Sequence, residues 1–316
     1  MVIQMKLSFL FLEQIDKHMN TVRKLQRDFI IGDNWLYYKI YTGSIESILE
    51  ILNDSIKKWQ KQGIIDNWFF IRYADPHHHL RLRFHLTDFS KIGGVLESIK
   101  TQFIPYIEEG IIWKVQLDTY SRELERYGYK TMQLSEQIFT HDSNMMIELF
   151  SLIEGEEGEE IRWLFCLRAI DDFISAFNLG IEQKISLFDR LKTGFGIEFR
   201  IDRTMKKKIN EKYRNHRSKI KSFMALDELN EYYLPLFHIL EHKRKAIDTI
   251  AKEIIHSKEV EPLDFDFELF LESHVHMITN RIFRFKNRLH ELVCYDFLFK
   301  HYMSIKSKEQ KLLTQS

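Results

Sequence analysis

The feature that most constrains this chain is a change of hydrophobic period near residue 130. Before it, apolar and polar residues alternate; after it, apolar residues recur every three to four positions. The clearest alternation is His79 to His85, which reads His-Leu-Arg-Leu-Arg-Phe-His. It predicts a strand with Leu80, Leu82 and Phe84 on one face and Arg81 and Arg83 on the other. Trp35 to Tyr41, Asn67 to Tyr73 and Ile111 to Tyr120 are rich in aromatic and β-branched residues and read as further strands. Ser44 precedes Ile45, Ile48, Leu49 and Leu52 at helical spacing, which predicts a helix over 44–61 with Ser44 as N-cap. A second helix is predicted over 91–108.

The resulting order, β-α-β-β-α-β, is the split pattern of a ferredoxin-like antiparallel sheet. Helices are predicted over 131–152, 158–177, 183–195, 203–220, 232–256 and 266–304, the last broken near 286. The expected fold is therefore α+β: an N-terminal ferredoxin-like sheet followed by a mostly α-helical half. The reading divides the chain into a lead-in over 1–34, a sheet subdomain over 35–130, a helical subdomain over 131–305 packed on the sheet, and a frayed polar tail over 306–316. Residues 35–305 are expected to work as one domain. Two helices cover one sheet face, and the helical half is expected to cover the other.

Composition narrows the function classes. Lys plus Arg and Asp plus Glu are both 46, so no global field draws in nucleic acid, and an anionic partner must be met by a local basic pocket. The two cysteines, Cys166 and Cys294, are too few for a disulfide framework or a thiolate metal site, which fits a reducing cytoplasm. Leu7-Ser8-Phe9-Leu10-Phe11-Leu12 is followed by Glu13 and Asp16 and is too short for a signal sequence. No apolar run approaches the length of a membrane span. Gly155-Glu156-Glu157-Gly158-Glu159-Glu160 reads as an acidic loop entering a helix, where negative charge is favoured. The basic runs Lys206-Lys207-Lys208 and Lys243-Arg244-Lys245 read as solvated helix faces.

Three segments hold more polar side chains than a core needs. Arg81 and Arg83 stand about 7 Å apart on one strand face. Guanidiniums that close repel unless an anion lies beside them. They form either a carboxylate-binding site or an exposed face neutralised by Glu or Asp within the chain. His77-His78-His79 beside them points in several directions and reads as a turn with one packed histidine rather than a metal site. In the second segment, Glu123 and Arg126 are three apart and can pair on a helical turn; Glu123 is an orienting group, a base, or a counter-charge for Arg81 and Arg83. In the third, His276 and Asn280 share a helical face, with Asn280 placed to fix the imidazole tautomer. The alternative for His276 is a satisfied core histidine.

Together these segments resemble the C-terminal region of lantibiotic dehydratases, also found as separate thiopeptide-type bacteriocin biosynthesis proteins. The likeness rests on Trp35-Leu36-Tyr37-Tyr38-Lys39-Ile40-Tyr41, Trp68-Phe69-Phe70-Ile71-Arg72-Tyr73, Asp75-Pro76 and His79-Leu80-Arg81-Leu82-Arg83-Phe84. It continues with Asp118-Thr119-Tyr120, Glu123, Arg126-Tyr127-Gly128, Glu136 and Phe139, Asp142-Ser143, and His276-Met277 with Asn280-Arg281. Tyr129 stands where the family commonly has a second Gly, a departure at a turn.

The resemblance implies a stand-alone glutamate-elimination lyase. It would convert glutamyl esters of Ser or Thr in a ribosomally made precursor peptide to dehydroalanine or dehydrobutyrine. It places catalysis on Arg81, Arg83, Glu123, Arg126 and His276, with Arg72, Tyr120, Asn280 and Arg281 around the substrate. Arg81 and Arg83 would meet the glutamyl group, Arg126 the enolate or the glutamate carboxylate, and His276 would move the proton, with Glu123 orienting Arg126. Neither metal nor cofactor is implied. The implied partners are the glutamylated precursor and a separate large glutamylating dehydratase subunit, without direct tRNA binding. A homodimer is compatible with this reading. A pyridine synthase joining two dehydroalanines on the same fold, and a non-catalytic subunit that captures peptide on an edge strand, are the alternatives.

Overall fold

The computed structural model describes residues 25–153, 155–225, 231–260 and 263–314, with the side chains of 155–157 excepted. The apolar run over residues 7–12 lies outside the described residues. Strand β2 (Trp35–Thr42), helix α1 (Ile45–Lys61), β3 (Ile65–Tyr73), β4 (His79–Leu86), α2 (Ile92–Glu108) and β5 (Ile112–Leu117) follow one another as the alternation predicts. The four strands form one antiparallel sheet in the order β3-β4-β2-β5, the ferredoxin-like arrangement. Leu80, Leu82 and Phe84 are fully buried on the face that meets α1 and α2. There Trp59 of α1 packs edge-on against Phe84, with ring centroids 5.6 Å apart. Ser44 stands at the N-cap of α1 without a side-chain cap bond; its N–H donates to Thr42 Oγ1 at 3.0 Å instead.

The sequence reading extends the last strand to Tyr120, but the ladder with β2 ends earlier. Tyr120–Ser121 forms β6, which pairs with β1 (Asp28–Phe29) from the lead-in. A short helix, α3 (Leu124–Tyr127), follows and stops at Gly128, whose φ of +76° suits glycine. A Cβ at Gly128 would lie 2.3 Å from the Phe265 ring, so close packing also demands the bare backbone.

The helical half consists of α4 (Met132–Phe150), α5 (Gly155–Ala176), α6 (Ile181–Glu198), α7 (Arg203–Ala225), α8 (Leu234–Val260), α9 (Phe267–Ile282) and α10 (Asn287–Leu313). Gly155 to Glu160 are the opening turns of α5 rather than a loop. Asp266 caps α9 by accepting from the N–H groups of Glu268 and Leu269. The break between α9 and α10 falls where expected, with Phe283 extended and Lys286 left-handed. The last helix runs past its predicted end at 304: α10 continues to Leu313, and Lys306 pairs with Glu182 at 2.6 Å.

The helical half does not spread over the whole second face of the sheet. It docks along the free edge of β3 instead. Thr140 and Ser143 of α4 accept from the N–H groups of Trp68 and Phe70 at 3.2 and 3.3 Å. From α9, Arg281 Nε donates to the Phe70 carbonyl, and Asn280 both accepts from Arg72 N–H and donates to its carbonyl, each at 3.0 Å. These side chains do for β3 what a neighbouring strand would do, so the edge is sealed without strand pairing. Beneath them lies a buried charge cluster. Asp142 of α4 meets Lys243 of α8 at 2.6 Å and Arg281 at 3.4 Å, all three shielded from solvent. Lys243 thus departs from the solvated face expected of its run, because Asp142 draws it inward; Lys206, Lys207 and Lys208 are exposed as expected.

Candidate functional site

The second sheet face carries the arginines. In the β2-β4-β3 register, Arg83 lies opposite Tyr37 on one side and Phe69 on the other. Its guanidinium carbon stands 4.2 Å from the Tyr37 ring centre, 5.1 Å from Phe69 and 4.8 Å from Tyr120. These rings form a cage, and cations are attracted to ring faces. Arg83 is only 7% exposed, and its Nε and Nη1 have no hydrogen-bond partner. Burial lowers its pKa from the ordinary arginine value, Tyr37 and Tyr120 act against that, and the Glu123 charge does too. A buried guanidinium with unmet donors is costly in isolation. It is therefore poised to accept an anion.

Arg81, two residues along, is half-buried. Its guanidinium carbon lies 3.4 Å from the Tyr73 ring centre, and its Nε donates to His79 Nε2 at 3.2 Å. His79 is buried, bonds the His77 carbonyl through Nδ1 at 2.8 Å and stacks on Tyr41, so the His77-His78-His79 run is a turn with one packed ring. Among the described residues, no carboxylate forms an ion pair with Arg81 or Arg83. Glu123 takes Arg126 instead, at 3.3 Å, on an exposed turn beside the cage. Tyr127, raised well above the usual phenol range by burial, feels the charges of Glu123, Arg126 and Arg281 together. Arg83 feels the Glu123 charge and Glu123 holds Arg126, so the three share one neighbourhood.

His276 belongs to a different pair. Its Nδ1 lies 3.0 Å from Oε1 of Glu291 on α10, a carboxylate sealed from solvent, while the imidazole itself is 34% exposed. Among the described residues, no hydrogen bond or ion pair joins His276 to Arg81, Arg83, Glu123 or Arg126. What links them is α9 itself. His274, two residues earlier, packs its ring 5.1 Å from Tyr127 of α3, and Asn280, one turn later, grips β3.

Four residues offered for substrate have other partners. Asn280 does not set the tautomer of His276: both ends of its amide are taken by the Arg72 backbone, and Glu291 holds the imidazole. Arg72 reaches the opposite side of the sheet, where it bonds Glu46 at 2.7 Å and the Arg281 carbonyl; burial lowers its pKa to about 10. Arg281 is fully buried against Asp142 and the Phe70 carbonyl. Tyr120 donates its hydroxyl to Glu136 at 2.8 Å, and only its ring faces Arg83. Glu136 is in turn held by both arms of Arg122, at 2.7 and 2.6 Å, which fixes the floor of the cage.

Two groups escaped the sequence reading. Glu291 sits between Arg288 and Tyr295 in helical spacing, which reads as an ordinary surface pair. Tyr37 reads as one strand aromatic among several; only the register across from Arg83 reveals its part. Among the described residues, no three or more His, Cys, Asp or Glu side chains gather as a metal site, and no helix is long and apolar enough to cross a membrane.

Comparison with known proteins bears on this geometry. Residues 35–302 match the family described as the lantibiotic biosynthesis dehydratase C-terminal region. The chain is 27% identical to the nisin biosynthesis protein NisB of Lactococcus lactis subsp. lactis, over 88% of this chain and 27% of that one. It is 30% identical to the subtilin biosynthesis protein SpaB of Bacillus subtilis, over 55% of this chain and 17% of that one. It thus spans about a quarter of the length of the first of these relatives and less of the second. The fold is shared with the tRNA-dependent lantibiotic dehydratase MibB of Microbispora sp. 107891, at TM-score 0.65 and 19% identity, over 87% of this chain and 29% of that one. It is also shared with the pyridine synthase TbtD from thiomuracin biosynthesis, at TM-score 0.55 and 11% identity, over 85% of this chain and 99% of that one. With a family match over most of its length, this chain belongs to the lantibiotic dehydratase C-terminal family.

Proposed function

We propose that this chain removes glutamate from O-glutamyl Ser or Thr residues of a precursor peptide, leaving dehydroalanine or dehydrobutyrine. The observation that carries the reading is the caged guanidinium of Arg83, with buried donors that have no partner. An expelled carboxylate is the kind of anion such a group stabilises.

The reaction needs a base at Cα and a home for the departing charge. The base takes the Cα proton, the electron pair becomes the Cα–Cβ double bond, and the Cβ–O bond breaks to release glutamate. Arg83, with Arg81 beside it, receives the glutamyl carboxylate; preorganised donors of this kind are typically worth about 10²–10³ in rate. Arg126, held by Glu123, meets the enolate or a second carboxylate at the cage mouth. The proton is assigned to His276. Its Nδ1 is fixed on Glu291, which leaves Nε2 for transfer, whereas Glu123 is committed to Arg126. A positioned base typically contributes about 10²–10⁴. A separate large protein would supply the glutamyl ester.

Incubation with a glutamylated peptide tests the proposal: mass spectrometry should show glutamate leaving. The pyridine synthase reading is favoured by one observation, that the chain aligns with nearly all of TbtD. A bis-dehydroalanine peptide that cyclises while a glutamylated one persists would establish that reading instead.

A further inference from the structure

The two edges of the sheet are treated differently. On β3, side chains of α4 and α9 occupy the outward N–H groups of Trp68, Phe70 and Arg72 and the C=O groups of Phe70 and Arg72. On β5, nothing among the described residues does so; this strand pairs with β2 alone. Asp118 N–H donates to the Tyr37 carbonyl, and alternation along an antiparallel ladder then turns Gln116 and Lys114 toward β2. Val115 and Leu117 are left with N–H and C=O groups facing out. The strand has six residues and no proline; its edge-protecting features, Lys114 and the register shift opposite Tyr41 and Thr42, lie at its start, before Val115 and Leu117.

The same strand borders the cationic face. Lys114 and Gln116 stand on the side that carries Lys39, Arg81 and Arg83, by register through β2. Lys114 lies over the Tyr41 ring at 5.1 Å, and Lys39 pairs with Asp118. Among the described residues, that leaves three of the four cations, Lys114, Arg81 and Arg83, without a carboxylate ion pair along a path from the edge to the cage. At the Asp118 end of β5, Tyr37 separates the edge from Arg83, two strand spacings or about 10 Å across.

We propose that the peptide substrate docks as an added strand on β5. Its main chain pairs with Val115 and Leu117, and its acidic, glutamyl-bearing residue leaves the strand near Asp118 to cross Tyr37 toward Arg83. Backbone pairing takes hold of an extended segment without regard to its side chains, and the cationic face selects the acidic group. This docking mode rests on the elimination reading for its ligand, but not for its contacts.

The test is amide hydrogen exchange on the full chain, with and without a peptide about ten residues long in which one Ser carries glutamate through an unreactive amide link. Val115 and Leu117 should exchange about tenfold more slowly or better at saturating peptide, while Lys114 and Gln116, already bonded to β2, stay unchanged. Val115→Pro removes an outward N–H without touching the β2 ladder, which edge strands tolerate; it should keep the melting curve and lose the protection at Leu117. Unprotected Val115 and Leu117 amides, with the glutamate ester still eliminated, overturn the docking mode and leave the reaction standing. Protection that depends on protein concentration without peptide also overturns it, in favour of two copies joined edge to edge. Protection by the amide-linked peptide without any loss of glutamate from its ester supports the docking mode and removes the elimination reading.

Discussion

Nδ1 of His276 lies 3.0 Å from Oε1 of Glu291, fifteen residues later on the next helix, and that carboxylate is wholly buried while the imidazole reaches solvent. A partly open histidine held from behind by a sealed carboxylate is arranged to present its far nitrogen in one direction. His276→Ala should reduce elimination by about 10²–10⁴. Glu291→Gln should keep the fold and lose a large part of the same rate. A Glu291→Gln variant with undiminished elimination would reduce the pair to packing.

Arg83 gives a prediction with opposite signs for stability and activity. Replacing a buried, incompletely bonded cation with an apolar side chain of similar length relieves an unmet desolvation cost of about 1–3 kcal/mol. Arg83→Met should therefore melt at or above the parent temperature in calorimetry, yet leave glutamylated peptide unprocessed. A clear fall in melting temperature would show that the aromatic cage needs the charge for folding.

Asp142 should behave in the reverse manner. It serves both Lys243 and Arg281 in the buried interior, and Arg281 in turn holds the β3 edge. Asp142→Ala leaves two buried cations unneutralised, at a cost of about 3–5 kcal/mol. Denaturant unfolding should show that loss, and the peptide reaction should fail only as far as the folded fraction falls.

Stability should decline in mild acid. His274 is enclosed by Tyr127, Phe139, Phe173 and Phe270, and burial holds its pKa well below the usual histidine value, with Arg281 and Lys243 adding to the effect. The folded value is the depressed one, so the stability it contributes is present above about pH 6.5, the unfolded value, and is lost as pH falls below it. His79, His141, His290 and His301 are lowered too, burial being the largest cause in each, and act in the same sense. His274 alone should add a slope of up to about 1.4 kcal/mol per pH unit there. His274→Phe should flatten the curve between pH 6.5 and 5; an unchanged slope would contradict the assignment.

Much of the fold was legible because period and burial agree. Leu80, Leu82 and Phe84 alternate with Arg81 and Arg83, and one alternation fixed both strand and face. The break near 286 was legible too, since the apolar spacing lapses there. The capped β3 edge was not. Thr140, Ser143, Asn280 and Arg281 lie far from Trp68 to Arg72 in sequence, and nothing local in them announces a backbone partner. For the site, Arg81 and Arg83 were visible as unbalanced charge on one strand face. The partners of Arg72, Asn280, Arg281 and Lys243 depend on how helices dock, which no local pattern encodes. Glu291 was hidden for the same reason: beside Arg288 on a helix it resembles a surface pair, and only the crossing of α9 and α10 brings it to His276.

The central claim is that the caged Arg83 accepts the departing glutamate. The most direct measurement is time-resolved mass spectrometry of one glutamylated peptide with the parent protein and with Arg83→Ala. The account predicts conversion to the dehydrated peptide with the parent and persistent glutamylated peptide with the variant. Equal conversion by both would contradict it.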